Sequence, residues 1–356
     1  MTVTGLLTSF ARWSAEGRAL VLASVYATEG STYSKAGAHM LITDDGKFHG
    51  MLSGGCLEGD LAERARAVIE TGEPQSVTYD LRQNDEELWG LGVGCDGLMR
   101  IFLQPLHAAG GYEPFATMAK ALEGDTGQAA ATVIESDIDT LPPGATIVTV
   151  DGDVGFSDVD DEWVPDLSTM LGQALLESQS GTRRLDLSRG SATVLCAVLQ
   201  PPPAVLVLGA GLDAGPVVRF AVELGWRVTV QDHRPAYIES GSFDDAEQVH
   251  CVPVAELSRT VDLDRYSAAI VMSHHLASDR EYLQQLAGSR MGYIGLLGPA
   301  DRRRRLLEDL GASAARLESR VHGPAGIDIG GRGPAAIALS IIAEMHRQLL
   351  GGAEAD

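Results

Sequence analysis

The chain has 356 residues, 45% of them hydrophobic, with 27 Lys and Arg against 49 Asp and Glu. That length predicts two domains and the apolar content suffices for two cores, so global disorder is excluded. A net charge of −22 repels nucleic-acid backbones and anionic lipid surfaces, so neither nucleic acid nor membrane is expected as a partner; the one basic run is Arg302 to Arg305.

Leu6, Leu7, Phe10 and Trp13 recur at helical spacing before a stop at Gly17, and the apolar run Ala19 to Ala27 then reads as a buried strand. Bounded by Arg18 and by Thr28-Glu29, that run is too short for a signal segment or a bilayer span. The four cysteines form no C-x-x-C pair, which argues against an iron–sulfur cluster or a zinc ribbon and suits a reducing cytosol, so a soluble, cytoplasmic protein is expected. Asp44-Asp45-Gly46 makes a turn between strands at His39 to Thr43 and Lys47 to Leu52. A helix is expected over Leu57 to Thr71, stopped by Gly72, with strands at Gln75 to Leu81 and Leu98 to Gln104.

Between residues 106 and 199 the pattern predicts a helix at Phe115 to Leu122, strands near Ala130 to Glu135 and Ala145 to Val150, and a helix near Leu167 to Ser178. Pro201-Pro202-Pro203 then holds the chain extended. The expected organisation is therefore an N-terminal domain over 1–199, a proline linker at 200–203, a second domain over 204–350 and a tail at 351–356. Within the second domain, short apolar strands at Ala204 to Leu208, Arg227 to Gln231, Val249 to Val252, Ala268 to Met272 and Met291 to Gly295 alternate with helix-length segments, and a last helix runs from Pro334 to Leu350. The fold class expected is α/β: an N-terminal α/β domain followed by a Rossmann-like, doubly wound parallel sheet.

The strand Val205 to Leu208 leads into Gly209-Ala210-Gly211 and on to Gly215, a glycine loop between strand and helix as in dinucleotide sites. Asp232, at the end of the next strand, suits a ribose hydroxyl and disfavours a 2′-phosphate. Asp213 brings a carboxylate to the turn where a pyrophosphate would sit. Two readings stay open here: NAD(P) binding through Gly209, Gly211 and Asp232, or glycines that only let the helix pack close to the strand. Ser273-His274-His275 reads as hydrogen-bonding rather than metal-ligating. Arg302 to Arg305 at a helix start oppose the macrodipole, so either they meet an anion, with Arg302 and Arg303 as candidate ligands, or they form a face paired with the acidic surface.

Two further loops end in cysteine. Ser53-Gly54-Gly55-Cys56 precedes the helix at Leu57, and a helix N-terminus favours thiolate, the reactive and metal-binding form. Trp89-Gly90-Leu91-Gly92-Val93-Gly94-Cys95 is the second. Ser53, Gly54, Gly55, Cys56, Gly92, Gly94 and Cys95 are therefore candidates for one ligand site, whereas Cys196 and Cys251, inside apolar runs, are expected to be buried and inert.

With Gly30-Ser31-Thr32-Tyr33, Gly37-Ala38, the run Gly50 to Glu58, Asp232-His233-Arg234-Pro235, Tyr293 to Gly298 and Gly323 to Gly330, these loops make a motif set that spans nearly the whole chain. In this set the sequence resembles the XdhC/CoxI family of xanthine dehydrogenase accessory proteins. The resemblance implies a molybdenum cofactor chaperone, a non-catalytic protein that protects the finished cofactor during sulfuration and supports its insertion. It further implies a molybdenum hydroxylase and a cofactor sulfurase as partners; a homodimer is the expected assembly. Cys56 and Cys95 would then approach the molybdenum, while the glycine-loop N–H groups or the arginine run would hold the phosphate. The competing reading is an NAD(P)-dependent oxidoreductase, resting on Gly209, Gly211 and Asp232 alone. A nucleotidyltransferase lacks its nucleotide loop in residues 1–50.

Overall fold

The computed structural model describes residues 2–82, 97–188 and 190–351. The chain divides into two compact units, Met1–Pro201 and Pro202–Asp356. Among the described residues no helix is long and apolar enough to cross a membrane.

The first unit opens on helix Val3–Ala15, whose Thr2 side chain accepts from the Gly5 N–H. Its first sheet contains β1 (Leu20–Gly30), β2 (His39–Thr43), β3 (Phe48–His49), β4 (Gln75–Asp80) and β5 (Gly97–Leu106), in the order β3-β2-β1-β5-β4 with antiparallel pairing throughout. The unbroken apolar run of β1 follows from burial on both faces. Val21, Ala23 and Val25 pack with Leu61, Ala65 and Val68 of helix Glu58–Thr71, whereas Leu20 and Leu22 join Leu6, Trp13 and Phe115 on the other side. The second hairpin strand is shorter than the pattern suggests. At Gly50, with φ 108°, a Cβ would lie 2.6 Å from the His39 carbonyl oxygen, so the chain turns away after His49.

The second sheet, β8-β7-β6-β10-β9, is antiparallel and consists of β6 (Gln128–Ser136), β7 (Thr146–Val150), β8 (Asp153–Ser157), β9 (Gly181–Leu187) and β10 (Gly190–Leu199). Helix Val164–Glu177 covers it through Leu167, Leu171 and Ala174. Three of these strands, β8, β9 and β10, escape the sequence pattern. The first two are polar edges, and β10 is an apolar run directly before the prolines.

The second unit is a six-stranded, all-parallel sheet of β11 (Ala204–Leu208), β12 (Arg227–Asp232), β13 (Gln248–Cys251), β14 (Ala268–Val271), β15 (Tyr293–Leu296) and β16 (Val321–His322). Its order is β13-β12-β11-β14-β15-β16, the Rossmann order with its switch point between β11 and β14. Helices Ala214–Glu223 and Pro334–Leu350 pack on one face, Leu276–Leu286 and Ala300–Leu310 on the other. The carboxyl ends of β11, β12, β14 and β15 therefore converge on the loops that carry the candidate residues.

Candidate functional site

In the first unit, Ser53 to Leu57 form a tight loop before the helix that starts at Glu58, one residue later than the pattern suggests. Gly54 and Gly55 adopt φ 77° and 107°, open to glycine at little cost. The loop is organised around a carboxylate that the spacing does not single out. Glu58, 2% exposed, accepts the N–H groups of Leu52 (3.0 Å), Ser53 (2.9 Å), Gly55 (3.0 Å) and Leu57 (3.2 Å) and the Ser53 hydroxyl (2.6 Å). Burial alone would raise its pKa; the Ser53 hydroxyl and the backbone N–H groups outweigh burial and bring it below the ordinary value. The N–H groups of Leu52, Ser53, Gly55 and Leu57 are thus already taken by the chain's own carboxylate, which weighs against these four as donors to a cofactor phosphate. Glu58 is not among the residues read from the sequence as candidates; a glutamate in the first turn directly after a glycine loop is the feature that marks such a residue.

What the loop leaves open is Cys56, which is exposed and not disulfide-bonded. Beside it the Tyr33 ring, 64% exposed, covers Gly54, where a Cβ would stand 3.2 Å from the ring edge. The Ser34 hydroxyl donates to the Met51 carbonyl (3.1 Å) and ties the two loops together. On the other side Gly30 pairs with Gly97, and a Cβ on Gly97 would stand 2.4 Å from the Ser31 carbonyl oxygen. The motifs Gly30 to Tyr33 and Ser53 to Cys56 and the start of β5 thus meet at one end of the first sheet. Gly92, Gly94 and Cys95 lie outside the described residues. Of the other cysteines, Cys196 is buried, with its thiol pushed up to about 11 by burial. Cys251 is exposed, contrary to expectation, because β13 is an edge strand.

In the second unit Gly209 has φ 121°, and a Cβ there would lie 2.6 Å from the Met272 backbone, so this glycine serves close packing of β11 against β14. Asp232 is fully buried. One of its oxygens accepts the Arg234 N–H (2.9 Å) and Nε (2.9 Å); the other accepts the Ala210 N–H (2.8 Å) and Arg234 Nη2 (2.7 Å). A ribose hydroxyl thus finds the acceptor already taken by a guanidinium, which weighs against the assignment of Asp232 to a nicotinamide dinucleotide. Across the loop, Asp213 Oδ2 and His274 Nε2 stand 2.8 Å apart, and a Cβ on Gly211 would meet Asp213 Oδ1 at 2.9 Å. His275 accepts from the Ser278 N–H (3.3 Å) at the start of the next helix.

The arginine run is divided by the helix that carries it. Arg302 Nη2 donates to Asp279 (2.6 Å), 1% exposed, which also accepts the Ser273 hydroxyl. Arg303 donates to the carbonyls of Val321 (3.0 Å) and Glu318 (3.2 Å), and Arg304 pairs with Asp301 on the surface. The two candidates Arg302 and Arg303 are drawn inward to separate acceptors, so the run does not gather as one anion site.

Comparison with known proteins agrees with this architecture. Residues 13–80 match the model of the XdhC and CoxI family, and residues 205–345 match the model of the XdhC Rossmann domain. A protein of Bacillus subtilis (strain 168) named as a probable xanthine dehydrogenase subunit is 30% identical over 91% of this chain and 92% of its own length. The molybdenum cofactor insertion chaperone PaoD of Escherichia coli (strain K12) is 21% identical over 92% of this chain and 83% of its own. A crystal structure described as a xanthine dehydrogenase from Bacillus halodurans superposes with a TM-score of 0.78 at 27% identity, covering 100% of this chain and 98% of that one. With motifs, fold and relatives in agreement along its length, this chain belongs to the XdhC and CoxI family.

Proposed function

We propose that this protein binds molybdenum cofactor, shields it during sulfuration and supports its insertion into a xanthine dehydrogenase-type molybdenum hydroxylase. The observation that carries the reading is Cys56, an exposed free thiol on a loop fixed from within by Glu58. When bound, the cofactor supplies a soft metal centre with affinity for thiolate. The donor chemistry fits at that end: Cys56 offers sulfur, Gly55 has open space where its Cβ would stand, and Tyr33 offers a largely exposed ring over Gly54. Glu58 keeps the loop in shape, so the thiol is presented without a folding step on binding. The phosphate end needs donors other than the loop N–H groups that Glu58 occupies. We assign Cys95, which follows the second glycine loop, as the second thiol on the family pattern. The protein is proposed to work in the cytoplasm as a homodimer, with the hydroxylase and a cofactor sulfurase as partners.

The test is expression in a host that makes the cofactor, followed by pterin fluorescence and molybdenum analysis of the purified parent, Cys56→Ser and Cys56→Ala. The parent should carry both signals, and the folded variants should lose most of each. A parent without pterin or molybdenum, or folded variants loaded equally with it, overturns the proposal.

A further inference from the structure

The loop between β1 and β2 is pinned along its length. Gly97 lies tight against the Ser31 carbonyl, the Thr32 hydroxyl donates to the Ser34 carbonyl (2.9 Å), and the Ser34 hydroxyl donates to the Met51 carbonyl (3.1 Å). Further on, the Ala38 N–H donates to the Lys35 carbonyl (3.1 Å) and the Gly37 N–H to the Val25 carbonyl (2.9 Å). Burial alternates along the loop: Thr32 and Ser34 are half-buried, whereas Tyr33 and Lys35 are exposed. A fixed backbone thus turns one ring and one ammonium outward, beside the loop that carries Cys56.

Neither outward side chain is accounted for by the packing of the chain itself. Of the described Phe, Tyr and Trp rings, Tyr33 at 64% is the most exposed. Tyr237, the next at 42%, has the Arg234 guanidinium 3.7 Å from its ring centroid, whereas Tyr33 has no hydrogen bond, ring contact or cation contact among the described residues. Its close approach is to Gly54, where a Cβ would stand 3.2 Å from the ring, so any side chain there would push the ring away from the Cys56 loop. Lys35 Nζ reaches the Thr32 hydroxyl (3.4 Å) and, among the described residues, no carboxylate. That is unlike Lys47, which pairs with Asp45 at 2.9 Å, and it occurs in a chain with 49 acidic residues. An exposed ring suits a planar heterocycle, an ammonium suits a phosphate, and a loop already fixed has little freedom left to lose on binding.

We propose that Tyr33 and Lys35 are specificity-determining residues of the cofactor site: the ring takes the flat pterin and the ammonium takes the phosphate, next to the Cys56 thiol. The assignment rests on the cofactor reading above and supplies the phosphate donor that the Glu58-filled loop lacks. All three residues belong to the first unit, so nothing is required of the glycine loop in the second.

The test is fluorescence polarisation on the full chain with a metal-free, oxidised pterin that carries the side-chain phosphate, and with the same pterin after phosphatase treatment. The phosphorylated probe should bind at micromolar concentration, about tenfold or more tighter than the dephosphorylated one, and raised salt should narrow that gap. Tyr33→Ala should weaken both probes by about tenfold, and Tyr33→Phe neither. Lys35→Ala should weaken the phosphorylated probe alone, with Lys35→Arg recovering most of the loss. Three results overturn this assignment and leave the cofactor reading standing if the parent purifies with pterin and molybdenum: no binding of the phosphorylated probe below millimolar concentration, equal binding of the two probes by the parent, or folded Tyr33→Ala and Lys35→Ala variants that titrate like the parent. A parent purified from a cofactor-making host without pterin or molybdenum overturns the cofactor reading and this assignment with it.

Discussion

Ser53 and Glu58 hold each other from two directions: Glu58 accepts the Ser53 hydroxyl at 2.6 Å through one oxygen and the Ser53 backbone N–H at 2.9 Å through the other. The same carboxylate collects three more N–H groups, so the loop that presents Cys56 is built around a buried anion.

Removing that anion leaves several donors unsatisfied. Glu58→Ala should lower unfolding stability by about 3 kcal/mol, and Glu58→Gln by about 2 kcal/mol, in denaturant titrations. Because the folded pKa lies below the ordinary 4.5, the Glu58 contribution is complete above that value and is lost as pH falls through the folded one. The parent should show this acid loss and Glu58→Gln should not; equal acid slopes would contradict the assignment.

His39 sets a second acid window. Burial lowers its pKa from 6.5 to about 4, with the Ser24 hydroxyl 2.9 Å from Nδ1. The unfolded chain therefore binds this proton first, and stability falls by about 3 kcal/mol in total as pH drops from 6.5 to 4. His39→Gln should flatten unfolding free energy against pH across that window, whatever its effect at neutral pH. A variant as steep as the parent there would assign the loss to other groups.

The cysteines should differ in reactivity. Brief iodoacetamide treatment of the native protein, read by peptide mass spectrometry, should modify Cys56 and Cys251 and spare Cys196, whose burial both blocks the reagent and holds the thiol protonated. Modification of Cys196 at the same rate would mean that the second sheet opens in the native state.

The two glycines of the nucleotide-type loop should respond unequally. Gly209→Ala places a Cβ against the Met272 backbone at positive φ and should cost about 3 kcal/mol of stability. Gly211→Ala meets only the Asp213 carboxylate and the His274 ring, ends of side chains that can move, and should cost about 1 kcal/mol. Thermal melts of both variants give the comparison directly.

The alternation of short apolar strands with helices after Pro203 determined the parallel sheet, since each crossover must bury one helix face on a sheet hidden on both sides. Gly54, Gly55 and Gly209 were legible as turns or close approaches because only glycine tolerates those positions. The antiparallel second sheet was not legible: β9, with Arg183, Arg184 and Asp186, is an edge whose pairing with β10 depends on a partner rather than on its own pattern. Nor was the occupancy of the sites. That Glu58 fills its own loop, that Arg234 takes the oxygens of Asp232, and that Arg302 and Arg303 turn inward are outcomes of three-dimensional approach. A buried charge is stable only with the partner that folding brings within reach, and sequence spacing alone does not say which partner arrives.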